Sequence, residues 1–125
     1  MDTDPALPVS ISGFGARSMV ALLAAGEIEC AVVAHPSLLT LADLQAVKDA
    51  GRPVLWNLAE NDEYFTPEMQ DIADGVFGGD TRFERRVWAG TGHGFATRGN
   101  AKVDSIRRAK EGAFGASVEW LRRHM

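Results

Sequence analysis

The sequence predicts an α/β fold in which about four mostly parallel strands alternate with flanking helices, in the order β-α-β-α-β-α-β-α. Three observations carry this reading. Short runs rich in apolar and β-branched residues alternate with segments of helical period, the pattern of successive βαβ units. Capping residues, glycines and prolines fall between those segments, so most helices have a legible start or stop. The chain has 125 residues, 46% of them hydrophobic and 24% charged, which suits one globular unit over residues 1–125 with one core.

Residues 1–8 are expected to be unstructured, and the first strand to run from Val9 to Ser12. A helix from about Gly15 to Ala25 follows, because Ala16, Met19, Val20, Leu23 and Ala24 recur at i, i+3, i+4, i+7 and i+8. Gly26 ends it as a C-cap. The second strand is Glu29 to Ala34. Thr40-Leu41-Ala42-Asp43 then fits a capping box opening a helix to about Asp49, and Gly51-Arg52-Pro53 stops it. The third strand is Pro53 to Leu58. Thr66 as N-cap, with Pro67 and Glu68 in the first turn, opens a helix that fades at Gly78-Gly79. The fourth strand, Phe83 to Trp88, is the one that alternates cleanly, with Phe83, Arg85 and Val87 opposite Glu84, Arg86 and Trp88. Such alternation suits a position nearer the edge of the sheet. The last helix spans Asp104 to His124, with Ile106, Ala109, Ala113, Ala116 and Trp120 in one stripe and Arg122, Arg123 and His124 in its final turn.

The 13 basic and 17 acidic residues give a net charge of −4, which lacks the basic field that a nucleic-acid backbone requires. The longest wholly apolar run, Met19 to Ala25, is far short of the roughly 20 residues that cross a bilayer. Neither nucleic acid nor membrane is an expected partner. The acidic start Met1-Asp2-Thr3-Asp4-Pro5 is unlike a secretory signal, and the single Cys30 has no intramolecular disulfide partner. Both point to the cytoplasm.

In a parallel α/β sheet, ligands bind beyond the carboxyl ends of the strands, so chemistry belongs in the loops that follow them. The most informative is Ala89-Gly90-Thr91-Gly92-His93-Gly94-Phe95, where glycines on both sides leave the imidazole of His93 uncrowded, as a general base needs. Asp62 ends the preceding strand and suits the acid that accepts the Nδ1 hydrogen of His93; Glu60 and Glu63 compete for that role. His35 and Trp56 fall where they line the same region. Metal binding by His35, Asp62 and His93 has no ligand spacing to support it, and no metal or cofactor is expected.

Acid then histidine in successive strand-end loops is the order of an α/β-hydrolase triad after its nucleophile. Asp62 with Tyr64-Phe65-Thr66-Pro67, Thr91-Gly92-His93-Gly94-Phe95 and Ala34-His35-Pro36-Ser37 together resemble the C-terminal half of a dienelactone hydrolase, over about residues 11–125. The resemblance implies a partial α/β-hydrolase fold and a Cys-Asp-His triad acting on ester or lactone bonds, with Asp62 and His93 as its last two members. It also implies that Arg98 meets a substrate carboxylate. One part departs from the family: Ile11-Ser12-Gly13-Phe14 runs straight into Gly15-Ala16-Arg17, as though the cysteine of a Gly-x-Cys-x-Gly elbow were absent. Ser12 has Ser10 and Phe14 where an elbow needs glycines two positions away on each side, Ser18 lies within the helix, Ser37 has no elbow, and Cys30 starts its strand at the opposite end of the sheet. No nucleophile is identified.

Two other readings follow. A truncated hydrolase-like domain without activity of its own serves as an interaction module. Gly13-Phe14-Gly15-Ala16-Arg17-Ser18 is a near miss to a dinucleotide fingerprint, an anion site at a helix N-terminus supported by Arg17. The first strand, normally central in that family, is also left as an open edge, where a homodimer would form.

Overall fold

The computed structural model describes residues 7–12, 16–37 and 39–124. Four strands, β1 (Leu7–Ser12), β2 (Ile28–Ala34), β3 (Val54–Asn61) and β4 (Phe83–Gly92), form one sheet in the order β1-β2-β3-β4. Every pairing is parallel. Between them lie α1 (Ala16–Ala24), α2 (Leu41–Ala50) and α3 (Pro67–Phe77); after β4 come the single turn α4 (Phe95–Arg98) and the long α5 (Asp104–His124). The expected order holds, with α4 added.

Three strand boundaries differ from expectation by two residues or more. β1 opens at Leu7 rather than Val9, so Leu7 and Pro8, expected in an unstructured start, belong to the sheet: Leu7 pairs with Ile28. The register shifts between Leu7 and Val9, because Pro8 has no N–H to give to the ladder. β3 and β4 run on to Asn61 and Gly92, three and four residues beyond Leu58 and Trp88. As anticipated, β1 and β4 are the two edges.

Caps fix the helices between these strands. Thr40 accepts the N–H of Asp43 while Asp43 accepts that of Thr40, a reciprocal box at the head of α2. Gly51, in the left-handed region at φ 69°, closes the helix. Thr66 caps α3 with Pro67 at N1, and Gly78 ends it at φ 55°.

Period-two alternation along buried strands gives each face of the sheet its own core. Ala31, Val33, Val54, Trp56 and Leu58 face α1, α2 and α3, meeting Met19, Leu23, Leu44, Val47 and Phe77. Val32 and Leu55 face the other way, onto Ala116 and Trp120 of α5. Small residues bring α5 close to the sheet. A Cβ at Gly112 would lie 2.4 Å from Cζ3 of Trp88, whose indole is held by donating to Asn57 Oδ1 at 3.0 Å. Gly112→Ala gains about 1 kcal/mol of helix propensity but forces Trp88 off that bond, an overpacking cost of about 1–3 kcal/mol. A net loss of about 1–2 kcal/mol in urea unfolding is expected; an increase in stability would refute this packing account.

Candidate functional site

The site forms where β3 and β4 end side by side. Asn61 pairs with Gly92, which brings the next residues, Asp62 and His93, alongside one another. A register shift between Ala59 and Asn61 precedes that pair, and side chains hold it in place. Glu60 accepts the N–H of Gly90 at 3.2 Å; Thr91 Oγ1 accepts the N–H of Glu60 and donates to the carbonyl of Trp88. Gly90 sits at φ 73° with Ser105 2.9 Å from where a Cβ would be, so this position requires glycine. Glu60 is thereby occupied in holding the strand ends, and Glu63 is exposed. Of the three acids, Asp62 reaches the histidine.

The Asp62 carboxylate lies 2.9 and 3.1 Å from His93 Nδ1 and accepts the backbone N–H of Tyr64 at 2.8 Å. Its side chain is 2% exposed against 15% for His93. A buried carboxylate facing Nδ1 holds the proton on that nitrogen and turns Nε2, with its lone pair, outward. The only hydrogen bonds of the imidazole among the described residues are those to Asp62. The Tyr64 ring packs on it at 4.6 Å between centroids. Gly94, at φ 85°, then starts α4 by accepting the N–H groups of Thr97 and Arg98. This turn brings the Arg98 guanidinium back toward the histidine, where a Cβ on Gly94 would lie 2.7 Å from Arg98 Nε. Arg98 makes no hydrogen bond or ion pair among the described residues. With Asn61, Glu63, Tyr64 and His93 it lines an open, largely polar pocket of about 520 Å³.

His35 ends up behind the imidazole rather than in that pocket. It follows β2 with the unusual φ of 35° for a residue with a side chain, is 2% exposed, and meets His93 and Phe95 edge-on, with ring centroids 5.3 and 5.6 Å away. Burial, and then repulsion from His93, lower its pKa to about 4. Both of its ring nitrogens and the hydroxyl of Ser37 are buried without a hydrogen-bond partner among the described residues. Trp56 is not at the site: it lies mid-strand, under α3 and 5.9 Å from Phe77. Cys30 is fully buried near the start of β2, its thiol pKa raised by burial and by Glu29, which keeps it protonated. Ser18 is exposed on α1. Gly13, Phe14 and Gly15, on which the elbow and dinucleotide readings turn, lie outside the described residues, as does the side chain of Arg17. No group of three metal-ligating side chains occurs among the described residues. Sequence reasoning missed Tyr64 as a ring against His93 and missed α4. The first needed the register of β3 on β4, and the second is too short to show a period.

The sequence profile of the dienelactone hydrolase family matches residues 8–125. The chain belongs to the dienelactone hydrolase family. Its parallel sheet with helices on both faces is accordingly part of an α/β-hydrolase fold. Among curated relatives, hydrolase tropI of Talaromyces stipitatus is 26% identical over 113 residues, 90% of this chain and 43% of that protein. Hydrolase pyvD of Aspergillus violaceofuscus is 25% identical over 90% of this chain and 45% of its own length. Dienlactone hydrolase 1 of Gibberella moniliformis is 30% identical over 86% of this chain and 41% of its own. The chain therefore spans less than half the length of these relatives. No helix among the described residues is long and apolar enough to cross a membrane.

Proposed function

We propose that this chain carries the acid–base half of a hydrolase site of the dienelactone hydrolase type, acting on ester or lactone bonds of a small carboxylated substrate. One observation supports this best: Asp62 holds Nδ1 of His93 at 2.9 Å, leaving Nε2 free to take a proton from the attacking group. Arg98, beside it and without an ion-pair partner among the described residues, binds the substrate carboxylate, and Tyr64 walls the pocket. His35 backs the imidazole from below. Arg17, in the first turn of α1, is proposed as a further substrate contact.

The test is hydrolysis of an activated aryl ester by the pure chain. His93→Ala is expected to lower turnover by about 10²–10⁴-fold, the share a positioned general base supplies. Equal rates for both proteins would remove the enzymatic reading. A second reading is favoured by one observation: among the described residues no thiol or hydroxyl is hydrogen-bonded to His93. In that reading the chain is an inactive hydrolase-like module, and the same equal rates are its expected result.

We further place the chain in the cytoplasm, on the evidence of its single buried, unpaired cysteine. β1, an edge with one row of backbone groups unpaired in the sheet, is proposed to pair with β1 of a second copy. Native mass spectrometry at about 20 µM is expected to show dimer, since an interface of standard size holds at such concentrations. Monodisperse monomer would reject it.

A further inference from the structure

Between α3 and the β3–β4 edge lies a cavity of about 240 Å³, separate from the aspartate–histidine pair. Its walls are Trp56, Leu58, Phe65, Ala73, Phe77 and Phe83. Phe77 stacks on Phe83 at 4.4 Å and meets Trp56 at 5.9 Å, so much of the lining is flat aromatic surface. The rim is polar. Arg85 donates to Gln70 at 2.6 Å and pairs with Asp74 at 2.9 Å, and Asp80 and Glu84 complete it. Each rim carboxylate already has its cation, Asp74 with Arg85, Asp80 with Arg82 and Glu84 with Arg86, so the rim offers no free positive charge to an anionic ligand.

The second observation is on Trp56. The residue is 4% exposed, yet its Nε1–H is buried with no hydrogen-bond partner among the described residues. Buried indole N–H groups ordinarily find an acceptor, and few buried polar groups in a folded protein go without. Flat apolar walls, a rim with no free cation and one vacant donor describe a single kind of ligand. The volume, just below the roughly 300–1,000 Å³ of drug-sized sites, suits one ring.

We propose that this cavity binds a small uncharged aromatic compound bearing a hydrogen-bond acceptor, its ring against Trp56 and Phe77 and its acceptor on the Trp56 indole N–H. The probes are acetophenone, toluene and benzoate, read by ligand-observed NMR and by the indole N–H resonances of ¹⁵N-labelled protein. Acetophenone is expected to saturate one site, to shift the Trp56 indole resonance, and to bind roughly three- to tenfold more tightly than toluene, the worth of one net hydrogen bond. Benzoate is expected to bind at least about tenfold more weakly than acetophenone. Trp56→Phe keeps an aromatic wall but removes the donor, and should bring acetophenone and toluene to about equal affinity. Ala73→Leu fills the cavity and should abolish binding while leaving the Trp88 and Trp120 indole resonances in place. If that variant fails to fold, the Trp56→Phe comparison decides alone. No saturable binding of acetophenone at millimolar concentration, benzoate binding as well as acetophenone, or an acetophenone preference that survives Trp56→Phe each overturns the proposal. None of these outcomes depends on whether the chain hydrolyses esters.

Discussion

Asp62→Asn is expected to cost nearly as much turnover as removing His93 itself, about 10³–10⁴-fold, with little change in the fold. The reason is tautomeric rather than steric. In the native site, Asp62 Oδ1 accepts the N–H of Tyr64 at 2.8 Å, while Oδ2 lies 2.9 Å from His93 Nδ1. An asparagine in the same rotamer keeps its one carbonyl oxygen on the Tyr64 N–H, because that donor cannot turn away. Its amide NH₂ is then left facing His93. Nδ1 must accept from it, the ring proton moves to Nε2, and the nitrogen that should take a proton from the attacking group already holds one. In the serine-protease triad the same substitution costs about 10⁴-fold for this reason. The measurement is aryl-ester turnover of Asp62→Asn beside Asp62→Ala, with circular dichroism to establish that both are folded. Ester turnover unchanged in Asp62→Asn would show that the carboxylate only packs against the ring.

Local sequence encodes the helices of this protein more fully than its site, for physical reasons. Features determined by a few adjacent residues were legible: the capping box at Thr40 and Asp43, the cap at Thr66 before Pro67, the stops at Gly51 and Gly78, and the full length of α5. Each depends on local hydrogen bonds and backbone conformation alone. The strand ends were not, because Ala59-Glu60-Asn61 and Ala89-Gly90-Thr91-Gly92 carry loop-like composition. They stay in the sheet through bonds between residues about thirty apart, such as Glu60 to Gly90, which no local pattern encodes. For the same reason the choice of Asp62 over Glu60 and Glu63 stayed open until the register of β3 on β4 was known. Trp56 was drawn to the site by its strand, yet its place in the alternation turns it toward α3 instead.

The unfolding free energy of this protein is expected to fall by about 3 kcal/mol as pH drops from 6.5 to 4, with His35 the main cause. His35 is 2% exposed, and burial first, then the neighbouring His93, lower its pKa from 6.5 to about 4. Within that window the unfolded chain binds a proton at this residue and the folded chain does not. Stability therefore rises with pH through it and is fully present above the unfolded value. Asp80 does not confuse the measurement. Its own pKa is held down to about 2, chiefly by hydrogen bonds from Arg82, so its contribution is lost only as pH falls from about 4 toward 2. His124 is also lowered by burial and adds to the slope in the same sense. His35→Asn isolates the larger share, because asparagine tolerates a positive φ and does not titrate. Urea unfolding at pH 7, 5.5 and 4 is expected to show the variant less stable at pH 7, where it has lost the packing of the ring on Phe95, but with a much flatter pH dependence. An equal slope in both proteins would mean that His35 is protonated or solvated in the folded state, and so does not lie sealed behind His93. This outcome bears on catalysis as well. A neutral ring at 5.3 Å adds no positive charge against His93 when that imidazole takes up a proton, whereas a charged one would oppose it.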